Sequence, residues 1–205
     1  MPAPELILAS TSTSRKALLE RLRMPFRVVA PEVVEATVDG EPPGRMAARL
    51  AQAKAAAVSP GHPDVQTKDF IVIGSDQVLE ANGQKLGKPG SHDRAVEQLG
   101  AVSGRWVRFH TALTVTHPAA GYSRTVVETY DLRFRSLSRS LIDRYLHAER
   151  PYDCAGSLKV ESLGIILLSA ERGTDQTTVL GLPLMALIRL LREAGLDPDF
   201  ELQSE

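Results

Sequence analysis

Runs of apolar residues separated by turn-forming residues divide this chain into short strands and helices. The most apolar run, Phe70–Ile73, is mostly β-branched, which is typical of a strand covered on both faces. It is followed by Gly74 and then by the polar residues Ser75, Asp76 and Gln77. Ligands of open α/β sheets bind beyond the carboxyl ends of strands, so we expect Asp76 to lie at a strand end, in a binding site.

The same kind of pattern predicts elements along the rest of the chain. Further strands are expected at Leu6–Ala9, Phe26–Val29, Trp106–His117 and Tyr122–Phe134, with short extended pieces at Leu158–Glu161 and Gly164–Leu168. Helices are expected at Ala17–Arg23, Arg45–Val58, Ser91–Ala101, Ser138–His147 and Leu184–Ala194. The tail from Asp199 is expected to fray. No repeat or interdomain linker interrupts the pattern, which predicts a single domain over residues 1–205.

A hairpin is predicted shortly after Asp76. Asn82-Gly83 is the strongest two-residue hairpin signal, and continuing the ladder from that turn pairs Gln77 with Lys88. The return strand would then bring Lys88 into the neighbourhood of Asp76. An acid and a lysine brought together can hold a metal and a phosphate, or they can form a surface ion pair that closes the hairpin. The spacing alone leaves both interpretations open.

A second candidate site follows the first predicted strand. The stretch from Ser10 to Lys16 contains five hydroxyl side chains and then two cations. Backbone N–H groups at a helix start attract anions, hydroxyls add donors, and Arg15 can grip a phosphate with two parallel hydrogen bonds. The glycines of a Walker loop are missing. The alternative is an N-cap cluster with Ser12 or Ser14 as the cap. We favour an anion site, because the hydroxyls and cations exceed what a cap needs.

Lys54 falls on the apolar stripe of the predicted helix Arg45–Val58 rather than on its solvated face. A lysine there can snorkel to water, which is the commoner outcome, or it can point into the fold toward an anion. Glu35 lies in the loop after the second strand, where carboxylates are usually solvated. The pattern alone does not decide whether the side chains of Lys54 and Glu35 are solvated or belong to a site.

Composition limits the partners. The 205 residues are 43% apolar and 24% charged, as in ordinary globular proteins. A net charge of -1 gives no general attraction to nucleic acid or to an anionic membrane, so phosphate binding must come from local placement. Cys154 is the only cysteine, which fits a reducing compartment, and no apolar run is long enough to span a bilayer. These features predict a cytoplasmic protein without nucleic-acid or membrane partners.

Several short motifs, taken in order, resemble the Maf nucleotide pyrophosphatases over nearly the whole chain. They are Leu6–Ser12 with Arg15-Lys16, Glu35, Leu50–Ala55, Gly74–Gln77, Gly87–Pro89, Cys154–Ser157 and Gly181–Leu184. Each motif alone is weak, but the ordered set is highly specific. The resemblance implies an α/β fold with a mixed central sheet flanked by helices, related to the inosine triphosphate pyrophosphatases. It also implies a homodimer and hydrolysis of a nucleoside triphosphate to the monophosphate and pyrophosphate with a divalent cation, Mg²⁺, Mn²⁺ or Co²⁺.

The resemblance also implies roles for particular residues. Asp76 matches the catalytic base. Arg15, Glu35, Lys54 and Lys88 match the charged positions around the phosphates and the metal, and the nearby Ser10, Ser12 and Lys16 extend the expected phosphate site. Glu35 and Asp76 are the expected metal ligands, since Mg²⁺ usually takes one or two carboxylates and keeps waters.

Three residues match positions that bear on base selectivity: Ser14, Gln77 and Glu161. Asp76-Gln77 and Glu161 are similar to the branch that hydrolyses 7-methyl-GTP. The Glu161 carboxylate could accept hydrogen bonds from the guanine edge and favour the positive charge of the methylated base. Ser14 stands where that branch often has an aromatic residue, so a preference for UTP or dTTP is the alternative within the family.

Two further functions remain open at this point. One is a nucleotide-binding regulator of cell division that does not hydrolyse its ligand, and the other is a kinase or transferase that uses the same phosphate cradle. An acid at Asp76 beside Lys88 favours hydrolysis, because a pure binder gains nothing from its charge. The missing Walker motif counts against a kinase.

Overall fold

The computed structural model describes residues 3–59, 61–65 and 67–198, which form a mixed sheet flanked by helices. The strands are β1 (Glu5–Ala9), β2 (Arg27–Val29), β3 (Phe70–Ala81), β4 (Gln84–Leu86), β5 (Trp106–His117), β6 (Tyr122–Phe134) and β7 (Leu168–Arg172). The helices are α1 (Thr13–Glu20), α2 (Pro43–Ala57), α3 (His92–Val102), α4 (Arg139–Glu149) and α5 (Leu184–Glu193). The predicted α/β class with a mixed central sheet is confirmed.

The strands follow the order β2-β1-β3-β5-β6-β7 across the sheet, and β4 pairs with β3 outside this path. β1 runs parallel to β2 and β3, and the other neighbours are antiparallel. β5 and β6 form a long hairpin whose bounds agree with the prediction, because each run is rich in the β-branched and aromatic residues that favour strands. A 3₁₀ turn at Pro118–Ala120 joins them.

β3 is the strand on which the site is built. β5 borders one of its edges from Val72 to Glu80. On the other edge, β1 pairs with β3 from Phe70 to Gly74, and β4 pairs with it from Leu79 onward. Between them, no described strand borders residues 75–78 on that edge. This gap leaves a short piece of the central strand without a described strand partner on one edge.

Helices cover both faces of the sheet. α2 lies on the face of β3 that carries Gly74 and Asp76, whereas α1 and α5 pack on the opposite face, with α3 and α4 beyond them. A Cβ at position 74 would collide with the carbonyl oxygen of Ala51 on α2. Gly74 therefore permits the close approach of helix and strand that brings α2 side chains to the gap.

The prediction that Asp76 lies at a strand end is wrong. Pairing with β5 carries β3 past this residue to Ala81, so Asp76 lies inside a 12-residue strand. The neighbouring parallel strand β1 ends at Ala9, opposite Gly74. Asp76 thus lies just beyond the carboxyl end of β1, and the reasoning from strand ends applies to the neighbouring strand instead.

The hairpin after β3 agrees with the prediction only near its turn. Leu79 lies opposite Leu86, as the Asn82-Gly83 turn requires. β4 ends at Leu86, so the predicted pairing of Gln77 with Lys88 does not form. Lys88 lies instead in the segment that follows the strand.

Two other boundaries differ from the prediction. α1 begins at Thr13 rather than Ala17, because the Ser12 side chain caps it, and the helix therefore includes Thr13 and Ser14 of the hydroxyl-rich stretch. The predicted extended piece Leu158–Glu161 contains no strand, and residues 163–167 form a 3₁₀ segment. β7 begins only at Leu168, where pairing with the end of β6 stabilises it.

Some expectations lie outside the described residues. The loop positions Pro60 and Gln66 and the tail from Asp199, with its expected fraying, belong there. Within the part of the chain that the structure describes, no helix combines the length and apolar character that a membrane crossing requires.

Candidate active site

A cavity of about 740 Å³ opens at the gap beside β3. Its wall comes from the start of α1, the loop after β2, α2, the segment after β4, and residues 153–161 and 179–181. The predicted site residues in this wall are Ser10, Ser12, Ser14, Arg15, Glu35, Lys54, Asp76, Gln77, Lys88 and Glu161. The structure does not bring Lys16 to the cavity. The Lys16 ammonium lies 3.8 Å from Glu20, one turn along α1.

Lys54 is the centre of a charged cluster in this cavity. Its Nζ lies 2.6 Å from Asp76 Oδ1 and 2.6 Å from Glu35 Oε1. Lys54 and Asp76 are only 8% and 6% exposed. Of the two alternatives for Lys54, the structure shows the one in which it points into the fold. One ammonium therefore holds two carboxylates at a single point of the wall.

The two carboxylates have opposite pKa shifts. Burial raises the pKa of Asp76, and the charges of Lys54 and Arg15 only partly offset this rise. The pKa of Glu35 is lowered, chiefly by the hydrogen bond from Lys54. Asp76 consequently takes up a proton at a higher pH than an ordinary aspartate, while Glu35 stays ionised. Such a separation of two neighbouring acids is typical of sites that move protons.

The start of α1 carries both a cap and a cation. Ser12 Oγ accepts a hydrogen bond from the backbone N–H of Arg15 at 3.3 Å, so the capping interpretation holds for Ser12. Ser10 Oγ accepts from the Arg15 Nη1 at 3.5 Å, and the Arg15 Nε donates to the Gly181 carbonyl at 2.9 Å. Burial lowers the pKa of Arg15, and the charges of Asp76 and Glu35 oppose this shift. The guanidinium stays cationic because its ordinary pKa is far above neutrality.

Gln77 is held from the face of β3 opposite to α2. Its Nε2 lies 2.8 Å from Thr111 Oγ1, 2.7 Å from the Thr178 carbonyl oxygen and 3.1 Å from the Val179 carbonyl oxygen, and its two N–H groups donate to these three acceptors. These contacts orient the amide. Its Oε1 receives no hydrogen bond from a described residue, so this oxygen is the group that Gln77 can offer to a ligand.

The side chains of three predicted residues make no hydrogen bond or ion pair with the described residues. Lys88 and Glu161 are exposed, and Ser14 is half-buried. Their side chains are therefore available to a molecule in the cavity.

Sequence reasoning missed the apolar wall and one cation. Phe109 of β5 lines the cavity together with Leu158, Val160 and Val179. Phe109 occupies an ordinary core position of a long alternating strand, so no sequence signal marks it. Lys85 also lines the cavity, and its Nζ lies 3.7 Å from Met46 Sδ. The hairpin pattern places Lys85 opposite Glu80 but does not reveal that β4 borders a cavity.

The donor set can be tested against a divalent metal. Among the described residues, no group of three or more His, Cys, Asp or Glu side chains could hold a metal by itself. Mg²⁺ usually needs only one or two carboxylates, because waters and substrate phosphates complete its shell. Glu35 and Asp76 have oxygens at 2.6 Å from the same nitrogen, so they lie close together. These two residues fit a cation of this type.

Comparisons with known proteins place this chain in a family. A family model described as Maf-like protein matches residues 5–194. A protein of Bordetella pertussis (strain Tohama I) named 7-methyl-GTP pyrophosphatase is 50% identical over 200 residues, which are 97% of each chain. Proteins of the same name from Xanthomonas axonopodis pv. citri (strain 306) and Cupriavidus pinatubonensis (strain JMP 134) are also similar. The first is 50% identical over 94% of this chain and 97% of its own. The second is 46% identical over 95% of each.

One solved structure is also similar. The Staphylococcus aureus Ham1 protein matches with a TM-score of 0.42 and 17% identity, covering 63% of this chain and 71% of that protein. Nothing about the function follows from a likeness at this level. The family model and the full-length relatives are sufficient without it: this chain belongs to the Maf-like protein family.

Proposed function

We propose that this protein hydrolyses a nucleoside triphosphate, with 7-methyl-GTP preferred, to the monophosphate and pyrophosphate. The observation that carries the proposal is Lys54, which holds Asp76 and Glu35 in one cavity with Arg15 nearby. A triphosphate needs cations for its charge, and its hydrolysis needs a carboxylate to orient and deprotonate water. The relatives named 7-methyl-GTP pyrophosphatase, at 46–50% identity, support both the reaction and the base.

Asp76 is the base in this proposal. Water attacks the α-phosphorus, the bond from that phosphorus to the bridging oxygen breaks, and pyrophosphate leaves while Asp76 takes the proton of the water. Lys54 occupies Asp76 Oδ1, and Oδ2 receives no hydrogen bond from a described residue. Burial raises the pKa of Asp76, which makes this carboxylate a stronger base than an ordinary aspartate.

The remaining charged groups bind the phosphates. Arg15, Lys54 and Lys88 line the cavity and supply positive charge without a Walker loop. Glu35 and Asp76 would hold a divalent cation, Mg²⁺, Mn²⁺ or Co²⁺. When bound, such a cation polarises the phosphoryl oxygens and lowers the pKa of its bound water.

The base of the nucleotide lies, in this proposal, against the apolar part of the cavity wall. Phe109 and its apolar neighbours offer a surface for a purine, and Gln77 Oε1 and the Glu161 carboxylate can accept from the guanine edge. A 7-methylated guanine carries a positive charge, which a carboxylate stabilises. Uracil and thymine present carbonyl oxygens that the same carboxylate would repel.

A nucleotide panel tests the proposal. Pyrophosphate release is measured with 7-methyl-GTP, GTP, UTP and dTTP, with and without Mg²⁺, and the highest kcat/KM is expected for 7-methyl-GTP. A clear preference for UTP or dTTP would overturn the base and leave the hydrolysis standing. Tight nucleotide binding without any release of pyrophosphate would favour the regulator that binds without hydrolysis.

Glu161→Ala tests the role of the Glu161 carboxylate. One matched hydrogen-bonded pair contributes about 1–3 kcal/mol, so the variant should narrow the preference for 7-methyl-GTP over UTP by roughly tenfold or more. Glu97→Ala is the matched control, because Glu97 is an exposed carboxylate on α3 that does not line the cavity. An unchanged preference in Glu161→Ala would remove Glu161 from base recognition.

A further inference from the structure

Ser75 is a buried hydroxyl that the proposed reaction does not use. It directly precedes Asp76, yet it is 0% exposed and does not line the cavity. Neighbouring residues of a strand point to opposite faces, so Ser75 points away from α2 and Lys54. Its Oγ lies 2.8 Å from the Gly181 carbonyl oxygen and 2.9 Å from the Ala112 carbonyl oxygen. Ser75 cannot touch the substrate, but it contacts a residue that lines the cavity.

The Gly181 carbonyl is shared by two side chains. It accepts from Ser75 Oγ at 2.8 Å and from Arg15 Nε at 2.9 Å. Gly181 has a left-handed φ of 97°, and an added Cβ would lie 3.4 Å from Arg15 Nε. Glycine is favoured here because it accepts this backbone conformation and leaves room for the guanidinium. The carbonyl therefore links an interior hydroxyl to a cavity cation.

Arg15 depends on this carbonyl for its orientation. The Nε contact at 2.9 Å is short, whereas the contact from Nη1 to Ser10 Oγ is at the long limit, 3.5 Å. A guanidinium grips a phosphate through two parallel N–H groups in a fixed plane, so a tilt of that plane loses the match. Holding Nε at a fixed point sets the plane, and Nη2 makes no hydrogen bond with a described residue, so it is available to a ligand in the cavity.

We infer that Ser75 is a positioning residue, which holds the Gly181 carbonyl where it orients Arg15 toward the phosphates of the substrate. The inference rests on the proposed function for the identity of that substrate. Ser75 and Asp76 then serve the same site from opposite faces of β3: Asp76 acts on the water, and Ser75 acts through Arg15. Misplacing a phosphate-binding group by a fraction of an ångström lowers the rate, although no contact to the substrate is removed.

A double-mutant cycle separates this role from a purely structural one. Ser75→Ala, Arg15→Ala and the combined variant are compared in kcat/KM for 7-methyl-GTP and in Kd for inorganic pyrophosphate by calorimetry. When Arg15 is present, Ser75→Ala should lower kcat/KM and raise the Kd for pyrophosphate by about tenfold each, in line with the loss of one charge-assisted hydrogen bond from a misplaced Arg15 to a phosphate. With Arg15→Ala already made, adding Ser75→Ala should change both by less than about twofold, because the group that Ser75 positions is gone.

Two further variants complete the test. Ser75→Cys replaces the hydroxyl with a thiol, which is larger and a weaker donor, so its kcat/KM and Kd should lie between those of the wild type and Ser75→Ala. It replaces Ser75→Ala in the cycle if that variant fails to fold. Thr114→Val is the matched control, because Thr114 is also buried on the sheet and its Oγ1 bonds Thr125 Oγ1 at 2.9 Å, away from Gly181. Thr114→Val should lower the melting temperature without changing the Kd for pyrophosphate.

Each outcome of the cycle has a definite meaning. An equal loss from Ser75→Ala in both Arg15 backgrounds overturns the inference, since Ser75 would then act independently of Arg15. If the wild type hydrolyses no nucleotide, the proposed function fails, and the cycle in pyrophosphate affinity still decides whether Ser75 acts through Arg15. If the wild type also binds no pyrophosphate, the inference fails with it.

Discussion

The two faces of β3 meet the cavity with different kinds of contact. On the α2 face, Asp76 is held by the charge of Lys54, which also holds Glu35. On the opposite face, Ser75 and Gln77 are held by neutral hydrogen bonds to backbone carbonyls and a hydroxyl. The charged face can gain or lose protons, whereas the neutral face keeps its contacts at every pH near neutrality. The strand thus separates the groups that do chemistry from the groups that hold the geometry.

The charged face is not explained by stability. Burying an ion pair costs desolvation that its mutual attraction often fails to repay, so apolar residues at Lys54 and Asp76 would hold α2 against β3 at least as well. The neutral hydrogen bonds instead satisfy buried polar groups that would otherwise be costly. Variants that change turnover and stability by different amounts separate these two kinds of contribution.

The largest effect is expected from Asp76→Asn. The side chain keeps its shape, and Lys54 keeps Glu35 as a partner, so the fold should persist. Losing general-base action lowers turnover by roughly 10²–10⁴. Steady-state kinetics with 7-methyl-GTP, together with circular dichroism of the purified variant, measure both quantities.

Asp131→Asn controls for the loss of a paired carboxylate. Asp131 receives two hydrogen bonds from Arg108, at 2.7 and 2.9 Å, on the surface of the sheet. This change should leave turnover close to that of the wild type. If Asp131→Asn and Asp76→Asn had equal effects, the comparison between the two faces would lose its basis.

The sequence identifies the residues of the charged face, but it does not predict how these residues pair with one another. The apolar stripe of α2 places Lys54 among buried positions, and the residues after Phe70–Ile73 mark Asp76 as unusual. Neither pattern reveals that Lys54, rather than Lys88, pairs with Asp76. That pairing depends on how closely α2 approaches β3, which is a tertiary contact set by Gly74 and by the helix packing behind it.

A smaller effect is expected from Lys54→Met. Losing a charge-assisted contact to the phosphates raises KM by roughly tenfold to a hundredfold. Without Lys54, the pKa of Asp76, already raised by burial, rises further. A carboxyl whose folded pKa is raised makes a protein less stable as pH rises through that pKa, so the stability deficit of the variant should shrink as the pH falls through the raised pKa toward the ordinary aspartate range. Urea titrations at several pH values measure this.

The double variant Lys54→Met/Asp76→Asn is the control. It removes the buried carboxylate together with its cation, so its stability should no longer depend on pH in this way. A stability deficit of Lys54→Met that is constant with pH would mean that Asp76 does not titrate in the folded protein.

The contacts of the neutral face could not be predicted from the sequence. Thr111 and Gly181 are far apart along the chain, and only the folded sheet brings the turn before α5 against β3 and β5. β7 was missed for the same reason, because its residues form a strand only where they pair with the end of β6. Local patterns determine most elements, whereas contacts between distant segments determine how the site is held.

The smallest effect is expected from Thr111→Val on the neutral face. Thr111 Oγ1 is buried, donates to the Thr178 carbonyl at 2.8 Å and accepts from Gln77 Nε2 at 2.8 Å. After the change, Gln77 still bonds the carbonyls of Thr178 and Val179, so no buried polar group loses its last partner. The free energy of unfolding should fall by about 1 kcal/mol, and kcat/KM by less than about threefold. Urea denaturation measures the free energy of unfolding, and the pyrophosphate assay measures kcat/KM. Thr111→Ser is the control, because it keeps the hydroxyl. A loss of turnover as large as that of Asp76→Asn would show that the neutral face takes part in the chemistry itself.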